Sequence, residues 1–297
     1  MTEVVLPIRV RVAMAHAAVQ VMADQVGMDI LHIKGIAVDP TLRSDRQPGT
    51  DADLLVRPRH VEPLIENMAA RGWRKVTSFE TGSPFGHAAT FQHAFWGHAD
   101  LHRSFPGITA DPDAAFDRLW ANRGTRELAG IPCPVPGAVG QSVILVLNAA
   151  RGGGLHGRRR DVDAVWGSAT PERRGEVEVL VADLGAEVAF AAATGNLERF
   201  RGAPDYDLWR IARDGGTRLE EWLARIKAAT TWRDRLHVAL RAPLVNTDHL
   251  GVRLGHAPSK TETLREFVAR PVRGLAEETR ALRTRHGRKR KRHHPHS

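Results

Sequence analysis

The chain has 297 residues, 42% hydrophobic and 26% charged, with a single cysteine, Cys133. That composition supplies material for a sizeable core in one large domain or two modest ones, and it excludes a disulfide scaffold and a Cys-rich zinc module. There are 43 Lys and Arg against 34 Asp and Glu, but seven of the nine excess charges fall in residues 283–297 (RTRHGRKRKRHHPHS), leaving the remainder near neutral at +2. A nearly neutral body excludes a broad nucleic-acid-binding face, though not a small phosphate pocket. No apolar run approaches the ~20 residues of a membrane span, and the opening MTEVVLPIRVRV lacks the order of a secretion signal. A soluble, cytoplasmic protein with no membrane partner is expected. The basic tail reads either as a solubilising end or as a contact for a polyanion such as RNA through counterion release.

Along the chain, Val10, Met14, Ala17, Ala18, Val21 and Met22 recur at helical spacing over 8–27, with Gly27 as the stop. A short strand over 29–33 ends at Lys34-Gly35. Residues 39–50, rich in Pro, Gly and charge, read as a loop, and 52–56 as a second strand. Val61, Leu64, Ile65 and Met68 mark a helix over 61–71 closed by Gly72, and further strands are expected over 73–79, 89–95 and 98–102. Interleaved helices and strands predict an α/β or α+β sheet domain over 1–136. After the Pro-rich stretch Ile131–Pro136 the character changes. Helical segments over 138–150, 172–195 and 217–241 predict a helical domain over 137–282, followed by the disordered basic tail 283–297. Gly152-Gly153-Gly154 lacks the preceding strand and following Lys-Ser/Thr of a phosphate loop. No internal repeat is visible.

The chemistry concentrates in three short segments. In Asp51-Ala52-Asp53-Leu54-Leu55-Val56, strand alternation sends Ala52, Leu54 and Val56 to a core and turns Asp51 and Asp53 together to the other face. Two neighbouring carboxylates repel unless a cation lies between them, so the pair makes sense around a divalent ion. In Gly97-His98-Ala99-Asp100-Leu101-His102, the residues His98, Asp100 and His102 share one face. If this strand lies near the first, Asp100 supplies a third carboxylate, a set able to hold the two metal ions of a phosphoryl displacement. Lys34-Gly35 adds a positive charge and a turn whose backbone N–H can approach a phosphate.

The order strand-Lys-Gly, loop, Asp-x-Asp strand and later Asp strand resembles the nucleotidyltransferase fold of polymerase-β-like enzymes. More narrowly, it is similar to a bacterial branch, the uncharacterised nucleotidyltransferase family proteins. In that branch Lys-Gly stands for Gly-Ser, an arginine precedes the Asp-x-Asp-Leu-Leu-Val strand, and an Asp-Leu-His strand follows a His-containing one. The matching positions are Lys34-Gly35, Arg46, Asp51 to Val56, His93 and Asp100-Leu101-His102, with Asp161 to Trp166 resembling a later helix. The match spans roughly residues 30–170. The chain departs from the pattern at Ala52, where the branch prefers a β-branched residue, and in the extra residue between Arg46 and Asp51.

The resemblance implies transfer of a nucleoside monophosphate from an NTP to an acceptor (an RNA end, a protein hydroxyl or a small molecule), with pyrophosphate released. It assigns Asp51, Asp53 and Asp100 to Mg²⁺ or Mn²⁺ and to catalysis, and Lys34, Gly35 and Arg46 to the phosphates. His102 would orient Asp100 or touch the acceptor. The rival from another class is a catalytically silent binding module on the same fold. A zinc site from His98, Asp100 and His102 is a further option, but three ligands from one short strand fan out poorly around an ion. For the remaining residues the structural readings are preferred. His93 reads as a half-buried structural histidine, Asp161 and Asp163 as helix caps or salt-bridge partners, and Arg158 to Arg160 as a solvated helix start. Trp209, Trp222 and Trp232 read as core, and Leu264, Phe267, Val268 and Leu275 as one more amphipathic helix.

Overall fold

The computed structural model describes residues 6–42, 49–79, 86–151, 156–229, 231–241, 247–254, 256, 258–267 and 269. Arg46, Gly152 to Gly154, Val268, Leu275 and the basic tail lie outside the described residues. Among the described residues, no helix is long and apolar enough to cross a membrane. Contacts divide the chain into two compact units, Met1–Leu197 and Glu198–Ser297.

The first unit is α+β, built on a mixed five-stranded sheet. Helix α1 (Ile8–Asp24) leads into β1 (Ile30–Ile33) and then β2 (Asp51–Val56). After α2 (Val61–Ala70) come β3 (Arg74–Lys75), β4 (Ala88–His93) and β5 (Gly97–His102). The strand order is β1-β2-β5-β4-β3, parallel only between β2 and β5. One face carries the core. Ala52, Leu54, Val56, Ala99, Leu101 and Phe91 pack with Ala15, Val19 and Met22 of α1 and Leu64 and Met68 of α2. Each fully buried large aliphatic or aromatic side chain contributes about 1.5–3 kcal/mol. The extended strand expected over 73–79 shortens to Arg74–Lys75, because Val76 and Thr77 both donate to the Thr90 carbonyl, two residues opposing one as in a bulge.

A buried polar chain joins α1 to β1. His32 Nε2 lies 2.7 Å from Gln20 Oε1, and His32 Nδ1 lies 2.7 Å from His16 Nδ1. An amide oxygen only accepts, so His32 donates from Nε2 and receives at Nδ1 a proton-bearing His16 Nδ1. The His32 ring is therefore neutral. Burial lowers the His16 pKa to about 4 against the opposing pull of Asp53, leaving that ring neutral too, and burial with the neighbouring His16 pushes His32 well down.

Residues 124–135, of which the Pro-rich 131–136 reads from sequence as a boundary, instead contain a β-hairpin. Strands β6 (Gly124–Leu128) and β7 (Ile131–Val135) are joined through Ala129 and Gly130, both at positive φ (49° and 80°). Pro132 and Pro134 alternate with the inward Cys133 and Val135, so the missing N–H groups fall on one side of an outer strand. Cys133 is fully buried, which pushes its thiol pKa up to about 12. Helix α3 (Pro112–Ala121), not anticipated, starts at Asp111, whose side chain accepts from the Asp113 and Ala114 N–H groups at 3.1 Å each.

Helix α4 (Ala138–Ala150) begins where a helical region is expected, and with α5 (His156–Val162), α6 (Pro171–Asp183) and α7 (Glu187–Thr194) it belongs to the sheet's compact unit. The helical stretch expected over 172–195 forms two helices that part at Gly185, which sits at φ 58°. Asp161 is buried and Asp163 exposed at the start of a π-helical turn, Asp163–Gly167, so the two do point apart. The second unit holds α8 (Tyr206–Asp214), α9 (Arg218–Ala228), α10 (Trp232–Arg241) and α11 (Thr247–Leu254). Trp209 is core there, whereas Trp232 is 69% exposed, contrary to the core reading. Leu264 and Phe267 are also exposed.

Helix α4 is set down closely on the chain before it: a Cβ at Gly137, its N-cap, would meet the Asn122 carbonyl oxygen at 2.2 Å. A backbone oxygen cannot rotate away. Gly137→Ala is therefore expected to cost about 1–3 kcal/mol of stability, read by urea unfolding.

Candidate metal centre

The parallel pairing of β2 with β5 aligns Asp51 with His98, Asp53 with Asp100 and Leu55 with His102. Since side chains alternate, all of these project from the face opposite the core. The expected grouping of Asp51 and Asp53 on one face, with His98, Asp100 and His102 on the same side of β5, is what the register produces. Three of them converge most closely. Asp53, Asp100 and His102 each offer a ligand atom, and these atoms lie within 4.8 Å of one another. Asp51 begins β2 on the same face, with its Oδ1 accepting from Thr50 Oγ1 at 3.3 Å. It stands outside that group, as does His98.

Each member has a distinct environment. Asp53 is 8% exposed, and its Oδ1 accepts from His102 Nε2 at 2.9 Å while forming an ion pair with the Lys34 ammonium. Burial works to raise the Asp53 pKa, but Lys34 and His102 together outweigh it and hold the carboxylate well below its usual range. Asp100 goes the other way. Burial first and the Asp53 charge second raise it to about 7, with Thr90 Oγ1 donating to its Oδ1 at 2.7 Å as a partial offset. His102 is neutral, its pKa lowered to about 4 by burial and then by Lys34, so Nε2 carries the proton given to Asp53. Among the described residues its buried Nδ1 has no hydrogen-bond partner, and its ring stacks on Phe105 and lies 5.1 Å from the buried His87. His102 thus orients Asp53, not Asp100 as expected from the sequence.

The turn after β1 brings Lys34 to this face. Ile33 pairs with Asp53, so the next residue stands beside the carboxylate. Lys34 adopts φ 60°, ψ −172°, a region that glycine occupies almost alone, and Gly35 follows at φ 48°. The lysine backbone costs about 1–3 kcal/mol there, so its surroundings must impose it. They do so from two sides: Arg126 of β6 donates to the Ile36 carbonyl at 2.9 Å, and the Asp39 N–H donates to Gln141 of α4 at 2.8 Å. Gln141 is anchored in turn on the Pro136 carbonyl at 2.7 Å.

His93 projects from the core face and closes the β4–β5 turn, accepting at Nδ1 from the Phe95 and Trp96 N–H groups at 3.2 and 3.4 Å. That is a structural role. Sequence reading missed Thr90, His87 and Arg151. Thr90 was within reach, since it alternates with the core residues Ala89 and Phe91. Arg151, at the end of α4, acts electrostatically on His87 and His102, and nothing local in the sequence connects it to them.

Two opposed carboxylates and an imidazole are a donor set suited to a divalent cation.

No protein-family model and no curated protein matches the chain. Solved structures with partial likeness include the lincomycin-bound lincosamide antibiotic adenylyltransferase LnuA, at 13% identity and TM-score 0.32, covering 56% of this chain and 94% of that one. The antibiotic-resistance factor ANT(2'')-Ia is 14% identical with TM-score 0.35, covering 64% of this chain and 93% of that one. A nucleotidyltransferase-like antigenic protein from Paracoccidioides brasiliensis is 14% identical with TM-score 0.37, covering 69% and 93%.

The folded pKa of Asp100 lies above its ordinary 3.8, so its stabilising contribution is intact below pH 3.8 and is lost as the pH rises through about 7. Asp100→Asn is therefore expected to raise the stability of the metal-free protein at pH 8 by about 1–3 kcal/mol, with the gain shrinking towards pH 4 in urea titrations.

Proposed function

We propose that the protein is a metal-dependent nucleotidyltransferase that moves a nucleoside monophosphate from an NTP to an acceptor hydroxyl and releases pyrophosphate. The observation that carries this reading is the Asp53–Asp100–His102 cluster, whose donor atoms lie within 4.8 Å on one face of a mixed sheet. Asp51, Asp53 and Asp100 would hold Mg²⁺ or Mn²⁺. Such ions would supply Lewis-acid chemistry there, lowering the acceptor hydroxyl's pKa and offsetting the charge of the phosphates.

The remaining roles belong to the chain. Asp100, whose Oδ1 accepts from Thr90 Oγ1, is the group placed to take the acceptor's proton as the new P–O bond forms. His102 fixes the Asp53 carboxylate through a neutral N–H donor. The Gly35 amide and the Lys34 ammonium are the anion-binding groups of the adjoining turn, and Arg46 is assigned to the leaving pyrophosphate by the motif alone. The acceptor is an RNA end, a protein hydroxyl or a small molecule, and the basic segment 283–297 would favour RNA by phosphate contact. A buried, unreactive Cys133 as the sole thiol suits a reducing, cytoplasmic setting in a bacterial cell.

Incubation with Mn²⁺ or Mg²⁺, labelled NTPs and a broad acceptor set should label an acceptor. Asp51→Asn and Asp53→Asn should each lower the rate at least a hundredfold, and full activity in either would remove that residue from the metal assignment. Deleting the chain from Arg283 onward should weaken transfer to RNA, and more so at low salt, while leaving transfer to a small acceptor unchanged.

A further inference from the structure

We propose that Lys34 is the resident cation of Asp53, exchanged for the divalent metal when the centre loads, so that metal entry releases the ammonium for the phosphates of the nucleotide. This rests on the metal-dependent reading above. The ion pair is shielded, with side-chain exposures of 13% for Lys34 and 11% for Asp53. An aspartate so enclosed needs a positive partner at all times, because removing one member of a buried pair leaves an uncompensated charge. The same oxygen, Asp53 Oδ1, already receives His102 Nε2, so the carboxylate is held in place whether or not the lysine is there.

A divalent ion bound to Asp53 and an ammonium touching that carboxylate would lie a few ångströms apart in a poorly screened pocket, where like charges repel strongly. Both cannot hold the site together. The lysine can leave without cost to the fold. Its turn is clamped by Arg126 on the Ile36 carbonyl and by Gln141 on the Asp39 N–H, so the backbone does not depend on where the four-carbon side chain points. Gly35, at φ 48°, follows directly, so a released ammonium remains next to the turn assigned to the phosphates. Metal and nucleotide would then raise each other's affinity, since each favours the same position of one side chain.

The exchange predicts a gain from a loss. Mn²⁺ titration of the complete 297-residue protein without nucleotide, followed by electron paramagnetic resonance of the free ion and by calorimetry, should show Lys34→Met binding at least tenfold more tightly than the parent. Lys34→Gly, which also suits the φ 60°, ψ −172° backbone, should show the same gain and guards against a folding failure of the Met variant. Lys34→Arg, which keeps a cation, should stay at the parent's affinity. In thermal melts, Mn²⁺ should raise the midpoint of Lys34→Met by more than that of the parent. A Met and a Gly variant that bind Mn²⁺ no better than the parent would overturn the exchange while leaving the metal-dependent reading intact. An Arg variant that gains as much as Met would also overturn it, because charge would then not be the cause. If neither parent nor variants take up Mn²⁺, the exchange and the metal-dependent reading fall together.

Discussion

The parallel register between β2 and β5 places Asp53 directly opposite Asp100 in the middle of a sheet, and the strand pairing holds the two residues side by side. Electrostatics at the centre follows from that constraint. One carboxylate is kept ionised by an ammonium and an imidazole N–H, and the other is raised to about pKa 7 by burial first and by the neighbouring Asp53 charge second. This asymmetry separates the groups into a permanent anion and one that exchanges a proton near neutral pH. Pairs whose environments drive their pKa values apart are the arrangement from which acid–base and metal chemistry is built.

The surrounding fold is arranged to keep the turn beside Asp53 in a conformation it would not adopt alone. Lys34 occupies a backbone region suited to glycine, and the hairpin β6–β7 and helix α4 each contribute one hydrogen bond that holds the following residues. On the other face, the neutral His16–His32–Gln20 chain ties β1 to α1, so the strand that presents Lys34 is itself fixed. Strain and like-charge repulsion thus concentrate at one place and are offset by an ordinary apolar core on the opposite side of the sheet. A centre of this kind lowers stability in return for preorganised charge.

Much of this was legible in the chain. The alternation in 51–56 and 97–102 separated Ala52, Leu54, Val56, Ala99 and Leu101, all fully buried, from Asp51, Asp53, Asp100 and His102 on the other face. The limits of α4 were also legible, because a run such as Val143 to Leu147 has few alternatives to burial. The β6–β7 hairpin was not, since alternating prolines mimic a linker until an outer strand position makes their missing N–H groups harmless. Nor was the break at Gly185, where helix-forming residues on both sides hide a turn that depends on one left-handed glycine.

Period-two alternation is a local property, set by the sterics of successive residues, and for that reason the amino-acid order alone determined which side chains share a face and which enter the core. Partnership across strands is non-local. That β2 lies beside β5, that Asp53 rather than Asp51 meets Asp100, that His102 turns to Asp53, and that Lys34 neutralises a carboxylate nineteen residues away were decided only by the closure of loops and the packing of α1, α2 and α4 around the sheet. Those contacts depend on the balance of burial, strain and charge summed over the whole unit, which no short segment of the chain contains.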